Sequence, residues 1–443
     1  MAALGMAGAS DVVGGSVRVP GDKSISHRAL MFSAFATGSS RVRGILQSDD
    51  VKSTAGVLRA LGWHLPEVSA QMTIEGAGFT SRLPSPVSRL DCGNSGTTTR
   101  LMAGVAAAQP FASTFVGDAS LSRRPMRRVA APLEAMGARV EFLEGHDGLP
   151  MIVHGSTLHS VDWTLPVASA QLKSAVLLAG LCARVPVRVK EPAPTRDHTE
   201  QMLSALGVRV GVDAEGFVAL QPAERLDPLD LDVPGDPSSA AFFVARALLA
   251  SNGNVRVENV LRSPYRDGFV RAVRRMGARV DDVREGGAGS SARDDLVAHG
   301  GGRLRGISVG RDEVTSMIDE IPMLAVLAAR AEGVTEVRGA EELRVKESDR
   351  IATMARVLAA FGGDAVELSD GLTIHGGKAL RAAHVESQGD HRIAMSAVIL
   401  GLVAEGETLV DDVECVDTSF PGFAALLRSL GADVREEMVN GPA

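Results

Sequence analysis

Apolar and polar positions along this chain repeat one short pattern six times. In each copy two apolar residues lie three positions apart, a glycine follows, and a strand-like mixture of apolar and polar residues comes next; residues 133–140 (LEAMGARV) are representative. The pattern is typical of a helix that ends at a left-handed glycine and is followed by a strand. The six glycines, 69 to 85 residues apart, are Gly62, Gly137, Gly207, Gly277, Gly362 and Gly431.

This spacing predicts an α/β protein built from six supersecondary units. Units of this size are not expected to have independent cores, so we expect them to bury their apolar faces against each other. The period is longer than that of common solenoids, which favours a closed assembly over an open array. Helix, glycine, strand is also a common order of elements in α/β proteins, but the nearly regular spacing favours a true repeat.

A second internal repeat divides the chain into halves. Val19-Pro20-Gly21-Asp22 and Val233-Pro234-Gly235-Asp236 are each followed by serines and an apolar run, and they occupy matching points of two three-unit halves. We interpret them as the places where the chain crosses between two lobes. The second copy lacks the lysine, histidine and arginine that follow the first. We therefore interpret the first copy as functional and the second as architectural.

Apolar runs predict helices at about 24–36, 95–108, 169–183, 238–250, 316–331 and 389–403, with short strands between them. Glycine-rich residues 286–291 and 300–302 are predicted to be surface loops. Residues 1–15 are small and lack a basic region, so we expect a disordered or loosely packed leader rather than a signal peptide. The sequence has no stretch of about 18 uncharged apolar residues, so it predicts no membrane span.

Composition narrows the class of protein. A chain of 443 residues with 45% apolar and 23% charged residues is expected to fold into two or more domains. A net charge of −8 and only 4% aromatic residues disfavour nucleic acids and anionic membranes as partners. The cysteines Cys92, Cys182 and Cys415 are far apart, which disfavours structural zinc and disulfides and fits a reducing cytoplasm.

Candidate chemistry lies at the predicted helix starts. Lys23, Ser24 and Arg28 would combine cationic side chains with the free N–H groups and positive dipole end of a helix, which is the composition of an anion site. A solvated basic helix start is the alternative. Similar polar or basic starts occur at residues 90–100 (LDCGNSGTTTR), 122–128 (SRRPMRR), 167–174 (VASAQLKS) and 195–200 (TRDHTE). Each of these alone is also explained by ordinary capping or a solvated charge.

Acidic residues accompany two later helix starts. Asp319 and Glu320 precede a long apolar run, where a carboxylate either offsets the helix dipole or acts as a general base. In residues 344–350 (RVKESDR) we predict that Lys346 and Arg350 lie one helical turn apart on one face, with Glu347 beside them. A solvated ion-pair face is the alternative there. If the helix starts of successive units gather at one face, they would bind polyanions, and the acids would transfer protons.

Taken together, these stretches resemble the 5-enolpyruvylshikimate-3-phosphate (EPSP) synthase family from about Val17 to the C-terminus. Residues 90–104 and 344–354 look like its two signatures, while GDKSISHR, SAQ-x-K and RDHTE resemble its second class. The resemblance implies a two-lobed fold of six βαβαββ units, three per lobe. Lobe 1 would contain residues 1–20 and 235–443 and lobe 2 residues 21–234, with the active site in the cleft between them.

The resemblance also implies an activity. The enolpyruvyl group of phosphoenolpyruvate would pass to the 5-hydroxyl of shikimate 3-phosphate with release of phosphate, in the pathway to chorismate and the aromatic amino acids. No cofactor, metal, nucleic acid or membrane is implied, and we expect a cytoplasmic monomer.

The family's functional residues carry over to matching positions of this chain. Asp319 would be the base, Glu347 the acid or proton shuttle, and Lys23 a catalytic contact to both substrates. Shikimate 3-phosphate would be held by Lys23, Ser24, Arg28, Ser169, Ala170, Gln171, Arg196, Asp319 and Lys346. Phosphoenolpyruvate would be held by Lys23, Gly96, Arg124, Gln171, Arg350 and Arg392.

Two positions qualify the resemblance. The first class has a lysine just before a late Phe-Pro, and residues 417–421 (DTSFP) have none. Gly96 matches the glycine of glyphosate-sensitive members, so we expect glyphosate to compete with phosphoenolpyruvate.

Two other functions remain as alternatives. An enolpyruvyl transferase acting on UDP-N-acetylglucosamine would have the same fold, but that family usually carries a reactive loop cysteine, and residues 116–119 (VGDA) contain none. A non-catalytic protein that binds a phosphorylated metabolite is disfavoured by the presence of both Asp319 and Glu347.

Overall fold

The structure is a computed structural model that describes residues 2–8, 12–79, 89–286 and 292–438. The strands of these residues are β1 (Ala2–Gly8), β2 (Val12–Arg18), β3 (Thr37–Arg43), β4 (Gln71–Ala77), β5 (Leu90–Asp91), β6 (Ala112–Val116), β7 (Arg139–Phe142), β8 (Met151–His154), β9 (Val161–Thr164), β10 (Val187–Lys190), β11 (Val210–Val212), β12 (Val218–Leu220), β13 (Asp230–Asp232), β14 (Asn252–Leu261), β15 (Val280–Gly286), β16 (Arg293–His299), β17 (Ser308–Val309), β18 (Val334–Val337), β19 (Asp364–Leu368), β20 (Gly371–His375), β21 (His384–Glu386), β22 (Gly406–Asp411) and β23 (Val434–Met438).

The α-helices of the same residues are α1 (Lys23–Phe35), α2 (Asp49–Ala60), α3 (Gly96–Ala107), α4 (Ala119–Ser122), α5 (Arg127–Ala135), α6 (Ala170–Ala183), α7 (His198–Ala205), α8 (Pro237–Leu248), α9 (Gly268–Arg275), α10 (Arg311–Val314), α11 (Ile321–Arg330), α12 (Arg350–Ala360), α13 (His391–Gly401) and α14 (Phe423–Ser429). Short 3₁₀ helices cover Ile318–Glu320, Glu341–Val345 and Val413–Thr418. None of the described helices is long and apolar enough to cross a membrane.

The described strands form six small sheets, and the fold class predicted from the sequence is confirmed. One sheet has the order β5-β6-β8-β7, in which β5 and β6 are parallel and the other pairs antiparallel. A parallel pair needs a crossover connection, and α3 provides it, whereas β7 and β8 join as an antiparallel pair. With α5 between β6 and β7, the unit is βαβαββ.

Three sheets are completed by strands from distant parts of the sequence. β13 pairs in parallel with β3, and β2 pairs in parallel with β14. β1 lies between β22 and β23 and is antiparallel to both. Repeat units are therefore closed in space rather than along the chain.

The N-terminal segment contradicts the prediction of a disordered or loosely packed leader. Residues 2–8 form β1, and Ala3, Leu4 and Met6 are buried. The prediction was wrong because its evidence was local, whereas the strand gains its hydrogen bonds from residues about 400 positions away.

The described residues divide into two compact units. Unit 1 contains the residues up to Pro20 and those from Pro234 onwards, and unit 2 contains Gly21–Val233. Each unit contains three of the six sheets. Residues 287–291, which include most of one predicted glycine-rich loop, lie outside the described residues, whereas residues 300–302 follow β16 outside any strand or helix.

The first helix of each repeat is largely buried. In unit 2 these helices are α1, α3 and α6, and a Cβ added at Gly104 of α3 would lie 2.1 Å from the carbonyl oxygen of Ala175 in α6. In unit 1 they are α8, α11 and α13, whose buried apolar residues belong to one hydrophobic cluster. A helix that is apolar on all sides is buried in a core. Its polar first turn is therefore the part that is available to contact a ligand.

The predicted glycine ends are confirmed: the six repeat glycines have φ between 79° and 109°. Two predicted boundaries are corrected. α11 begins at Ile321 rather than near Ser316, because Pro322 has no N–H and fits only the first turn of a helix.

The second correction concerns residues 344–350. Asp349 accepts a hydrogen bond from the backbone nitrogen of Ala352 at 3.1 Å and so caps α12, which begins at Arg350. Lys346 and Glu347 precede the helix and are not on its face with Arg350.

Candidate active site

The first turn of α1 in unit 2 has the composition of an anion site. Asp22 caps the helix, and its Oδ1 accepts a hydrogen bond from the backbone nitrogen of Ile25 at 2.8 Å. Lys23 and Ser24 follow in the first turn and are partly exposed. The Lys23 ammonium lies 3.0 Å from Asp50 Oδ2, so a carboxylate orients this cation.

Arg28 lies one turn further into α1 and is buried. Its Nε donates to Thr199 Oγ1 at 2.7 Å, its Nη2 to Ser174 Oγ at 2.8 Å and its Nη1 to the Ser24 carbonyl at 2.9 Å. These bonds join α1 to α6 and α7. Burial and, to a smaller extent, the charge of Arg196 lower the pKa of Arg28 to about 10, against the opposing effects of Glu200 and Asp22. Arg28 therefore places a largely protonated, protein-bound cation behind the helix start.

Gly96 begins α3 between two guanidinium groups. A Cβ added to it would lie 2.9 Å from Arg100 Nη1 and 3.3 Å from Arg124 Nη1. The Arg124 Nη2 donates to Asn94 Oδ1 at 2.6 Å, and Asn94 in turn donates to Asp118 Oδ2 at 2.6 Å. The absence of a side chain at Gly96 leaves room beside two cations at a helix N-terminus.

The start of α6 is joined to that of α3. Ser169 caps α6, and the next two residues are Ala170 and Gln171. Gln171 accepts from Arg100 Nη1 at 2.6 Å and donates to Thr97 Oγ1 at 2.9 Å. The remaining predicted residue of this group, Arg196, lies just before α7, and its charge reaches Arg28.

In unit 1 the predicted residues meet at the buried guanidinium of Arg350. Its Nη2 donates to Glu347 Oε2 at 2.7 Å, its Nη1 lies 3.4 Å from Asp319 Oδ1, and its Nε donates to Asp390 Oδ2 at 2.8 Å. Burial disfavours the charged form, but Asp390, Glu347 and Asp319 outweigh it and raise the pKa of Arg350. The two candidate proton-transfer groups, Asp319 and Glu347, therefore share one permanent cation.

Lys346 and Arg392 complete this group. The Lys346 ammonium lies 3.8 Å from Asp319 Oδ1. Arg392 lies in the first turn of α13, where its backbone nitrogen donates to the capping Asp390 at 2.9 Å. Asp390 thus connects the Arg350 cluster to another helix N-terminus.

Several residues that orient the predicted ones were not themselves predicted to belong to the site: Asp50, Asn94, Arg100, Ser174, Thr199 and Asp390. Asn94, Arg100, Ser174 and Thr199 lie within the polar helix starts noted in the sequence, and Asp390 lies at the start of the helix predicted at about 389–403, so their positions carried a signal. Asp50 is the second residue of α2, where an acid is explained by the helix dipole alone, and nothing local indicates that it pairs with Lys23.

The predicted residues at or near the starts of α1, α3, α6 and α7, called here the unit 2 group, present helix N-termini, hydroxyls and cations, which suits phosphate and carboxylate ligands. The predicted residues around Arg350, called the unit 1 group, include two carboxylates, a type of side chain that can accept or donate protons. The described residues contain no group of three acidic, histidine or cysteine side chains that could hold a metal ion. The three cysteines are free, and burial raises the pKa of each to about 12, so none is an activated thiol.

Comparison with known proteins gives consistent matches. Residues 8–427 match the family model described as EPSP synthase (3-phosphoshikimate 1-carboxyvinyltransferase). Proteins named 3-phosphoshikimate 1-carboxyvinyltransferase from Xanthomonas euvesicatoria pv. vesicatoria and Brevibacillus brevis are 48% and 44% identical, over 94% and 93% of this chain and 94% and 96% of their own.

A solved structure of EPSP synthase from Acinetobacter baumannii has a TM-score of 0.87 and 39% identity, covering 99% of this chain and 100% of that one. The enolpyruvyl transferase NikO from Streptomyces tendae, at 18% identity and a TM-score of 0.77, shares the fold.

Proposed function

The chain belongs to the EPSP synthase family, and from this we propose that it transfers the enolpyruvyl group of phosphoenolpyruvate to the 5-hydroxyl of shikimate 3-phosphate. The products are 5-enolpyruvylshikimate 3-phosphate and phosphate. The observation that carries the proposal is the family match over residues 8–427, supported by curated relatives at 43–48% identity.

In this proposal the unit 2 group binds anions. Lys23 contacts both substrates, and Ser24, Arg28, Ser169, Ala170, Gln171 and Arg196 hold shikimate 3-phosphate. The hydrogen bonds that fix Arg28 support a role as a preset charge, because its geometry does not depend on the ligand. Gly96, Arg124 and Gln171 hold phosphoenolpyruvate, for which the two guanidiniums beside Gly96 supply charge.

The unit 1 group supplies proton transfer and further charge. The methylene carbon of phosphoenolpyruvate gains a proton, which leaves a cationic centre on the neighbouring carbon, and the 5-hydroxyl attacks this centre as it loses its own proton. Phosphate then leaves and the new methyl group loses a proton, which restores the carbon–carbon double bond and gives the enol ether product. Asp319 is the base for the hydroxyl and Glu347 the acid for the carbon.

The cations in this group have two roles. Arg350 and Arg392 bind phosphoenolpyruvate and stabilise the negative charge of the phosphate as it leaves. Lys346 binds shikimate 3-phosphate beside Asp319. We propose that the groups of both units serve this one reaction. A cytoplasmic location and a monomeric state remain predictions.

Phosphate release tests the function. The protein is mixed with phosphoenolpyruvate and, in separate reactions, with shikimate 3-phosphate, UDP-N-acetylglucosamine or no acceptor. We expect phosphate only with shikimate 3-phosphate, accompanied by the enol ether product in the mass spectrum. Phosphate with the nucleotide sugar instead, or with neither acceptor, would contradict the proposal; the high pKa of all three thiols already disfavours the nucleotide sugar.

A further inference from the structure

The N-terminus of α8 in unit 1 duplicates that of α1 in unit 2. Asp236 caps α8 as Asp22 caps α1, and each Oδ1 accepts a backbone N–H of the first turn at 2.8 Å. The second residue of each helix is a serine, Ser238 in α8 and Ser24 in α1. The duplicate therefore retains the helix-start features of an anion site.

In the duplicate the anion is a side chain of the protein itself. The Ser238 hydroxyl donates to the Glu320 carboxylate. Arg266 supplies the cation that the duplicated stretch lacks: its Nη2 donates to Asp236 Oδ1 at 2.7 Å and to Ser238 Oγ at 2.9 Å. Asp236, Ser238, Arg266 and Glu320 are each at most 5% exposed, so their geometry is protected from water. Buried charge of this kind is costly unless it is paired, and here each carboxylate has a partner.

Glu320 is the neighbour of Asp319 in one 3₁₀ turn. Asp319 contacts Lys346 and Arg350, whereas Glu320 is bound at α8. Because α11 begins directly afterwards at Ile321 and has Pro322 in its first turn, the backbone of this turn has little freedom beyond the position that Glu320 sets.

The loop that contains Arg266 and the helix α9 that follows it hold the 3₁₀ turn from its N-terminal end. Gly268, which begins α9 two residues after Arg266, lies so close to Ser316 that an added Cβ would be 2.3 Å from its Oγ. Arg271 Nη2 also donates to Ser316 Oγ at 3.0 Å. The contacts of Ser316 therefore fix the segment before Asp319, and the hydrogen bond from Ser238 fixes Glu320, the residue directly after it.

We propose that Glu320, bound by Ser238 and Arg266 in the duplicated anion site, is a positioning residue that sets the location of Asp319 for proton transfer. The proposal rests on the proposed function, because Asp319 has its role as base there. The protein thereby uses one copy of the helix start for substrate and the other to align its catalytic base.

The test compares Glu320→Ala with Glu320→Gln. Alanine removes the acceptor for Ser238, whereas glutamine retains a carbonyl oxygen for it. We expect Glu320→Ala to lower kcat about 100-fold while the KM of each substrate changes little, since small displacements of a catalytic group act mainly on the chemical step. Glu320→Gln should recover most of kcat, and Ser238→Ala should behave like Glu320→Ala.

A matched control separates positioning from lost stability. Thr335→Ala removes another buried hydroxyl of unit 1, one that accepts a hydrogen bond from the backbone nitrogen of Ile307. We expect it to lower the melting temperature without affecting kcat. A kcat loss in Glu320→Ala no larger than in a control of equal melting temperature would overturn the proposal, as would a glutamine variant as impaired as alanine.

A second measurement distinguishes this proposal from the one on which it rests. In an Asp319→Ala background, Glu320→Ala should cause no further loss of kcat, because its effect passes through Asp319. A further loss as large as in the wild type would overturn the positioning role alone. Wild-type protein without phosphate release on shikimate 3-phosphate would overturn both proposals.

Discussion

At the scale of single residues, Asp319 and Glu347 both pair with the guanidinium of Arg350. Asp319 Oδ1 also lies 3.8 Å from the Lys346 ammonium, so two cations orient the carboxylate that the proposed mechanism uses as its base. We predict that Asp319→Ala lowers kcat about 10²- to 10⁴-fold while much of the substrate affinity remains. Steady-state phosphate release and calorimetric binding measure the two effects. Asp312→Ala, at an exposed acid of α10, is the control; near-normal turnover of Asp319→Ala would reject the base.

Gly96 carries a second prediction at this scale. In Gly96→Ala the new methyl would lie 2.9 Å from Arg100 Nη1, so that guanidinium must move, which a flexible side chain allows. Glyphosate separates its anionic ends by a longer chain than phosphoenolpyruvate does, so it should tolerate the narrowed space less well. We predict that the glyphosate inhibition constant rises at least about 10-fold and that the KM of phosphoenolpyruvate rises less. The added methyl group narrows the site, and this costs the longer ligand more binding free energy.

Inhibition assays at limiting phosphoenolpyruvate measure this difference. Gly56→Ala in α2, where an added Cβ meets nothing within 4 Å, is the matched control and should leave both constants unchanged. Wild-type turnover that resists high glyphosate at limiting phosphoenolpyruvate would show that the two do not compete.

At the scale of elements, a buried chain of hydrogen bonds joins α1, α2 and α3. His27 Nδ1 lies 2.6 Å from Thr54 Oγ1, Thr54 lies 2.6 Å from Thr98 Oγ1, and Thr98 donates to Ser95 Oγ at 2.8 Å. Burial, with the charges of Lys23 and Arg28, holds the pKa of His27 well below its usual 6.5. The folded protein therefore keeps this imidazole neutral where an unfolded chain would protonate it.

This difference predicts a pH-dependent stability. As pH falls through 6.5, the unfolded state binds a proton that folded His27 does not, so the free energy of unfolding decreases. Urea unfolding at about pH 7.5 and about pH 5.5 should give a smaller pH difference for His27→Asn than for the wild type, since asparagine does not titrate. The exposed His64→Asn is the control and should keep the wild-type difference. An unchanged difference in His27→Asn would contradict the prediction.

Elements also differ in how far the sequence predicts them. The starts of α1, α3 and α6 follow from a capping side chain before an apolar run, and the structure places each within about two residues of the predicted position. Lys346 was misplaced because the same stretch offers both a helical charge pattern and a cap at Asp349, and the cap prevails. The pairing of Asp50 with Lys23 has no local signal, since it depends on how α2 lies against α1.

At the scale of the whole molecule, the six repeats can be recognised in the sequence, but the pairing of the distant strands that complete their sheets cannot. The glycine period is visible because it is local, whereas β1 joins β22 and β23 from the opposite end of the chain. The repeats explain why candidate residues occur at similar places in both units: each unit presents buried helices with polar first turns. A reaction with two anionic substrates can draw on several such turns at once.

That both units serve one reaction is itself testable. Arg124 of unit 2 and Arg392 of unit 1 are both proposed to hold phosphoenolpyruvate, and lysine in either place keeps the charge but loses the planar fork. We predict that Arg124→Lys and Arg392→Lys each raise the KM of phosphoenolpyruvate about 10-fold or more, as expected for a lost charge-assisted hydrogen bond. Arg127→Lys, at a half-exposed arginine of α5, should have no effect. If only one of the two substitutions changed this KM while both variants melted like the wild type, the other unit would have no part in binding this substrate.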